Sequence, residues 1–382
     1  MTDKFSPIDY DIFCGMDVDK RKTFASFLDW QGSMKEIGLP NKGAAVLSYA
    51  RKKYPGKRVA FVYEAGPTGF TLYDEISSAG EKCLVAAPSM VPTAPGQRVK
   101  TNRLDGRKLA INLRGGQIKG IRVPSVLYRD LRHLCQWRDS CVKEIGRNQR
   151  RIKSLLLCEG ISFPGQRWNS ETKEALRKLD CREAIQFKLI ALLEAIQEWQ
   201  EKLKAHNCYL KKFIKNQPEL EQNIAYLISV GFIGWTTAVH FLARVGDWRQ
   251  LEKSAQTCGF LGLGPSEHST GEKIKKGPIT GIGDRRLRSK LIQGSWRAVQ
   301  KDKELKAYFI RIARSESSVI GPKKAIVAVT RKRVARMHAV LKDQRFYFKE
   351  NNPKQLEADF PGQTRSRPRA KEPFMVSPGS SS

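Results

Sequence analysis

The sequence predicts an α/β layer, then two long helices, then a basic and mostly helical unit. Three observations carry that reading. Residues 10–120 alternate β-branched or aromatic runs with stretches of helical spacing, the pattern of a mixed or parallel sheet with helices against it. Residues 123–225 repeat apolar or small residues at a 3–4 spacing, which reads as long helices. Residues 271–340 hold 19 Lys/Arg against five Asp/Glu, a net +14 of the chain's +31.

Within the first region, "DIFCGMDVDK" reads as a short strand and "RKTFASFLDW" as its hairpin partner. "NKGAAVLSYARKKYPG" has helical spacing and stops at Pro-Gly. "KRVAFVYEAGPTG" is a buried strand closed by Gly-Pro, "FTLYDEISSAG" a helix ending at Gly80, and "KCLVAAPSM" a further buried strand. "VKTNRLDGRKLA", residues 99–110, runs from an irregular stretch into a helix.

The second region has its apolar or small positions at 127, 131, 134, 141, 145, 152 and 155, interrupted by Arg138 and Asn148. After the loop "EGISFPGQRW" the pattern resumes through Leu189, Leu192, Ile196, Trp199 and Leu203. This spacing fits an antiparallel hairpin, an intermolecular coiled coil, or helices packed on their own domain.

In the third region "LISVGFIGWTTAVHFLARVGD" reads as helix, Gly-bearing turn, helix, which is similar to a helix-hairpin-helix. In that motif, turn N–H groups and a helix N-terminus meet a DNA phosphate. "RRLRSK" and "TRKRVARMH" fall on helices, with Trp296, Tyr308 and Phe309 interleaved. A phosphate-tracking surface follows, with Lys273, Lys275, Lys276, Arg285, Arg286, Arg288, Lys323, Lys324, Arg331, Lys332 and Arg333 as its candidate contacts. The tail, 346–382, is rich in Pro, Ser and basic residues and is expected to be disordered.

With 69 basic and 38 acidic residues in 382, the expected partner is a polyanion, DNA or RNA. No run of about 18 apolar residues appears, so no membrane span is expected. The start has no apolar signal region. Eight Cys without a C-x-x-C pair read as reduced thiols in a cytoplasmic protein, with neither disulfides nor zinc.

Candidate chemistry lies in three acids. Asp17 sits inside the first strand and Glu64 closes the apolar strand "VAFVYE". An acid closing a buried strand faces the carboxyl edge of the sheet, where open α/β sheets place their sites. Asp105 and Asn102 stand three apart on the later helix, and so on one face. Were the acids to converge, their oxygen ligands would select Mg²⁺ or Mn²⁺. Asp19, Asp74 and Glu75 read as surface.

"GMDVDK", "YEAGPTG" and "KTNRLDGRKLA" resemble, in order and spacing, the N-terminal domain of insertion-sequence 110 transposases, relatives of the Piv/MooV DNA invertases. "CGFLGLGPSEHSTGEKIKKGPITGIGDRRLRSKL" and "GPKKAIVAVTRKRVARMHAVLK" are similar to two C-terminal segments of the same family. The resemblance covers residues 10–345. It implies a RuvC-like (RNase H-type) domain over 1–120 with a DEDD metal tetrad, a helical or coiled-coil connector over 121–225, and a C-terminal transposase domain over 226–345 supplying a serine nucleophile. It also implies DNA strand exchange guided by a non-coding RNA.

Asp17, Glu64 and Asp105 match the first, second and fourth acids of the tetrad. The third position holds Asn102. An amide keeps a carbonyl ligand but loses a charge. The serine position before Gly271 holds Thr270, with Ser269 one residue earlier. A Thr hydroxyl can act as nucleophile, but its β-branch restricts χ1. Phe232 stands where the family's turn commonly has Gly.

The expected function is therefore an RNA-guided transposase or site-specific recombinase using Mg²⁺ or Mn²⁺. It is expected to be a dimer or tetramer and to work in the bacterial cytoplasm at the nucleoid. A catalytically impaired nucleic-acid-binding derivative is the alternative, and a metal-dependent junction nuclease a weaker one.

Overall fold

The computed structural model describes residues 5–92, 102–267, 276–315 and 320–347; the side chains of residues 102, 103 and 276 fall outside that description. The chain divides into two compact units, 1–125 and 126–382.

The first unit is built on a five-stranded mixed sheet. Its strands are β1 (Ile12–Val18), β2 (Lys22–Asp29), β3 (Met34–Pro40), β4 (Val59–Glu64) and β5 (Lys82–Ala86), in the order β3-β2-β1-β4-β5. The first three pair antiparallel, and β1, β4 and β5 run parallel. Alternation sorts the side chains to two faces. Cys14, Met16, Phe61, Tyr63, Cys83 and Val85 enter one core, beneath α1 (Gly43–Lys53) and α2 (Thr71–Ser78). Phe13, Ala60, Val62 and Ala86 enter a second core with Leu109 and Leu113 of α3 (Asn102–Arg114). The extra strand β3 sits at the sheet edge, where "MKEIGLP" ends in Pro. Its Lys-Glu pair and terminal Pro suit an edge.

The second unit begins with α4 (Val126–Cys158), followed by α5 (Ser170–Arg177) and α6 (Glu183–Lys215). Of the three arrangements open from the sequence, α4 and α6 form an antiparallel hairpin. Ile152 and Leu156 share a core with Leu189, Leu193 and Ile196 at one end. Tyr128, Leu131 and Cys135 share another with Leu210 and Ile214 at the other. The buried face of α4 runs 128, 131, 135, 141, 148, 152 and 156, shifted by one at several places from the spacing read in sequence. Asn148 is buried and accepts from Arg151 at 3.1 Å. Arg138 Nε donates to Asn207 Oδ1 at 3.2 Å. Both polar interruptions are thus paired within the hairpin.

The remaining elements are α7 (Pro218–Ser229), α8 (Trp235–Val245), α9 (Ser254–Phe260), β6 (Pro265–Glu267), β7 (Lys276–Ile279), α10 (Arg285–Lys301), α11 (Lys303–Arg314) and α12 (Gly321–Lys342). Asp284 caps α10 by accepting from the N–H groups of Arg286 and Leu287. Asp302 caps α11 in the same way. The expected tail boundary moves slightly. Phe346 packs on Tyr226 with ring centroids 5.0 Å apart, and the Tyr347 N–H donates to Ser229 Oγ. Residues 348–382 lie outside the described residues.

All eight cysteines are free, five of them buried. Burial pushes the Cys135 thiol up to about 12. No described helix is long and apolar enough to cross a membrane.

Candidate active site and nucleic-acid interface

The topology of the first unit sets Asp17 and Glu64 at the ends of neighbouring strands. Met16 on β1 pairs with Tyr63 on β4, so Asp17 and Glu64 follow in adjacent parallel strands at the carboxyl edge. Both fall on the face carrying α3, because Phe13 and Gly15 on β1 and Ala60 and Val62 on β4 face that helix. Both are half-buried.

Two glycines bring α3 down onto this edge. A Cβ on Gly15 would overlap the carbonyl oxygen of Gly106 and the backbone nitrogen of Ala110. A Cβ on Gly106 would lie 3.0 Å from Ser26 Oγ and 3.4 Å from the Phe24 carbonyl oxygen. Phe24 is the register partner of Asp17, so the start of α3 lies at Asp17's end of β1. Arg107 leans to one flank, where its guanidinium makes a two-point ion pair with the nearly buried Glu36 of β3. Helical spacing turns Asp105 away from the Arg107 flank. At the far end, Arg114 donates to the Asp29 carbonyl at 2.9 Å.

Among the described residues no three His, Cys, Asp or Glu side chains close around a single point. The backbone of Asn102 opens α3, and its side chain is outside the description. The donors available are hard carboxylate oxygens on one edge. That set fits Mg²⁺, which is commonly held by one or two carboxylates, with water and substrate phosphate completing the octahedron.

Ser269, Thr270, Lys273 and Lys275 lie outside the described residues, and Lys276 opens β7. Strands β6 and β7 pair antiparallel on either side of that stretch. The base of this hairpin is tightly built. A Cβ on Gly262 would overlap the Ile282 carbonyl, and one on Gly283 the Phe260 carbonyl. Arg288, buried, donates from one nitrogen to Leu261 O at 3.1 Å and Ile282 O at 2.9 Å. It braces the hairpin base, which corrects its reading as a phosphate contact.

Arg333 is a second correction. It is 2 % exposed and donates to Leu291 O, Ser295 Oγ, Gly231 O and Phe232 O, at 3.3, 2.9, 3.1 and 2.8 Å. Burial pulls its guanidinium down to about 10. It remains charged at neutral pH, but inside the fold.

The other predicted cations divide into two sets. Lys332 bonds Glu304, as does Arg336, which the sequence reading had passed over. The Lys332 hydrogen bond, ahead of the smaller opposing effect of burial, holds the Glu304 carboxyl down at about 2. Arg286 and Lys290 face Asp139 on α4, at 3.5 and 2.9 Å. Arg285, Lys323, Lys324 and Arg331 are exposed, as is Arg297, which the sequence reading did not single out. For Arg285, Arg297, Lys323 and Arg331 no acidic partner is found among the described residues.

A half-buried cluster at Asp139 was also missed. Its carboxylate accepts from His240 Nε2 at 3.2 Å as well as from Lys290. Burial by itself would raise this carboxyl, but the His240 and Lys290 hydrogen bonds and charges hold it well below the usual carboxylate range. The cluster ties α4 to α8 and α10. An Asp one residue after Arg138 in an apolar repeat was its only sequence signal.

The description "Transposase IS116/IS110/IS902 family" matches residues 225–309, and a DEDD-type IS110 transposase description matches 14–158. A Sinorhizobium fredii protein described as a transposase is 34 % identical over 288 residues, covering 74 % of this chain and 71 % of its own length. The chain belongs to the IS110/IS116 transposase family. The transposase of insertion sequence IS1533 from Leptospira borgpetersenii is 25 % identical over 254 residues, 63 % of this chain and 71 % of the relative. The pilin gene-inverting protein of Moraxella bovis is 27 % identical over 158 residues, 39 % of this chain and 46 % of that protein. The transposase matches thus fall on both the acid-bearing unit and the basic helices.

Proposed function

We propose that this transposase cuts and rejoins DNA under the guidance of a non-coding RNA, using an acid edge in one unit and a hydroxyl in the other. The observation that carries the proposal is the adjacency of Asp17 and Glu64 on parallel strands, with the start of α3 at the Asp17 end of β1. The mixed sheet supports a RuvC-like reading of 1–120. The helical hairpin supports a connector over 121–225, and the basic helices support a transposase domain over 226–345.

Asp17, Glu64 and Asp105, with the Asn102 carbonyl, would hold Mg²⁺ or Mn²⁺. When bound, such an ion stabilises charge on attacking and leaving phosphoryl oxygens. The chain's own contributions are distinct. Gly15 and Gly106 set the height of α3 and the Glu36–Arg107 pair its rotation, and Asp105 would then face the strand acids. Thr270, or Ser269, would attack phosphorus: an Oγ–P bond forms, the bridging P–O bond breaks, and the hydroxyl proton passes to a base while the departing strand is protonated. Arg288 steadies the base of the hairpin that flanks the hydroxyl. Arg285, Lys323, Lys324 and Arg331 would follow phosphates. Two DNA ends need two sites, so a dimer or tetramer at the bacterial nucleoid is the expected assembly.

A second reading, a binding protein with impaired cutting, is favoured by Asn102 and Thr270. Incubation with candidate RNA, donor and target DNA in Mg²⁺ or Mn²⁺, followed by a denaturing gel, separates the two. A protein–DNA adduct lost in Thr270→Ala and kept in Ser269→Ala supports recombination through Thr270. An inactive wild type rescued by Asn102→Asp with Thr270→Ser supports the impaired reading. Cleavage indifferent to both hydroxyls would instead indicate a nuclease using the acid edge alone.

A further inference from the structure

The turn between α7 and α8 holds an aromatic residue in an unfavourable place. Phe232 has φ of 54°, a left-handed conformation that non-glycine residues adopt at a cost and bulky ones rarely. Its side chain gains little burial in exchange, since the residue is 46 % exposed. The surroundings enforce the conformation. Arg333 grips the carbonyls of Gly231 and Phe232, and on α10 a Cβ at Gly294 would lie 3.1 Å from the Phe232 oxygen.

That same glycine locates Phe232 on the basic surface. With Gly294 facing the turn, helical spacing puts Gln293, Arg297 and Arg286, which is exposed and also faces Asp139 at 3.5 Å, on the adjoining flank of α10. Arg297 has no acidic partner among the described residues. An exposed aromatic residue on a fixed backbone, close to a helix flank that carries cations and an amide, has the composition of a single-strand platform, in which bases stack while cations follow the backbone.

We propose that Phe232 is a stacking contact for an unpaired base of a single-stranded nucleic acid lying along the Arg286–Arg297 flank of α10. This rests on the reading of the second unit as a nucleic-acid-binding surface. A continuous duplex keeps its bases stacked and offers none to the ring, whereas strand exchange exposes unpaired bases.

The test is fluorescence anisotropy of the full-length chain with a labelled 20-nucleotide oligo-dT strand and with a duplex of the same length, alongside thermal melting. Phe232→Leu and Phe232→Gly are expected to weaken strand binding about five- to hundredfold and leave duplex binding within about twofold. Phe232→Tyr and Phe232→Trp retain strand binding. Phe232→Gly melts no lower than wild type, because glycine relieves the left-handed strain. Strand binding unchanged in both Leu and Gly variants overturns the proposal. So does equal weakening of duplex binding, which would make Phe232 a wedge in paired DNA, and so does a loss that Tyr and Trp fail to restore. A wild type that binds neither strand nor duplex overturns the nucleic-acid reading of the whole unit, whereas one that binds both without regard to residue 232 overturns this proposal alone.

Discussion

Arg333 separates two accounts of the basic C-terminal helices, and Arg333→Met tests them directly. A phosphate contact would lower DNA affinity on removal and leave stability alone. The geometry predicts the reverse. Of the four groups Arg333 serves, two keep other partners: Leu291 O still accepts from Ser295 Oγ at 2.8 Å, and Ser295 Oγ from Thr330 at 2.9 Å. The carbonyls of Gly231 and Phe232 lose the guanidinium. Both acceptors are part-buried, and each so deprived costs about 1–3 kcal/mol. Some of that loss is offset because the burial that depresses the guanidinium is no longer imposed on a charge. A net loss of about 3 kcal/mol follows. In a unit of this size 1 kcal/mol moves the melting temperature by about 2–4 °C, so a fall of roughly 6–12 °C is expected. Differential scanning calorimetry of the full chain, with Arg331→Met as an exposed neighbour control, makes the measurement. A melting temperature within about 2 °C of wild type, together with weakened DNA binding, would refute the buried-strut account.

Gly15→Ala should destabilise the first unit by about 1–3 kcal/mol and abolish adduct formation, because its methyl group meets the backbone of α3; a variant with normal melting and activity would contradict the close-contact account. The depressed Asp139 carboxyl stabilises the fold above the ordinary Asp value of about 4, and that contribution is lost as pH falls below it. Wild type should therefore lose melting temperature more steeply between pH 5 and pH 3 than Asp139→Asn, which itself should cost about 3 kcal/mol at pH 7; parallel pH profiles would count against the cluster. Arg288→Met should reduce adduct yield by more than it reduces DNA affinity, since it frees the hairpin base without removing a surface cation; the opposite ranking would return Arg288 to the phosphate surface. Glu64→Gln should eliminate Mg²⁺-dependent adduct while keeping duplex affinity within about twofold in the absence of divalent metal.

The strands and helices of the first unit were legible because their sequence patterns are strong. "VAFVYE" is apolar throughout, and β4 is buried on both faces. The edge strand β3 was missed because three of its seven residues face solvent and it carries Lys35, Glu36 and Gly38, which weaken any periodic signal. For the hairpin, spacing alone could not distinguish an intramolecular partner from an intermolecular one, and the wrapping of other helices around its base shifted the buried face. The positions of Asp17 and Glu64 near strand ends were legible from the residue pattern. What sequence could not supply is the pair of glycines that seats α3, since Gly15 and Gly106 touch only in the fold. The basic surface was overread for a related reason. Charge counts do not reveal that Arg288 and Arg333 are turned inward to carbonyl groups, while Arg297, alone in an apolar-looking stretch, faces out.

The Gly15–Gly106 contact also fixes a dimension. Where a helix rests on a sheet through side chains, the gap between them can change as rotamers change. Here backbone meets backbone, so the gap has no adjustable spacer. The separation of the α3 backbone from β1 is therefore set by peptide geometry, and only side-chain torsions are free to vary at that edge.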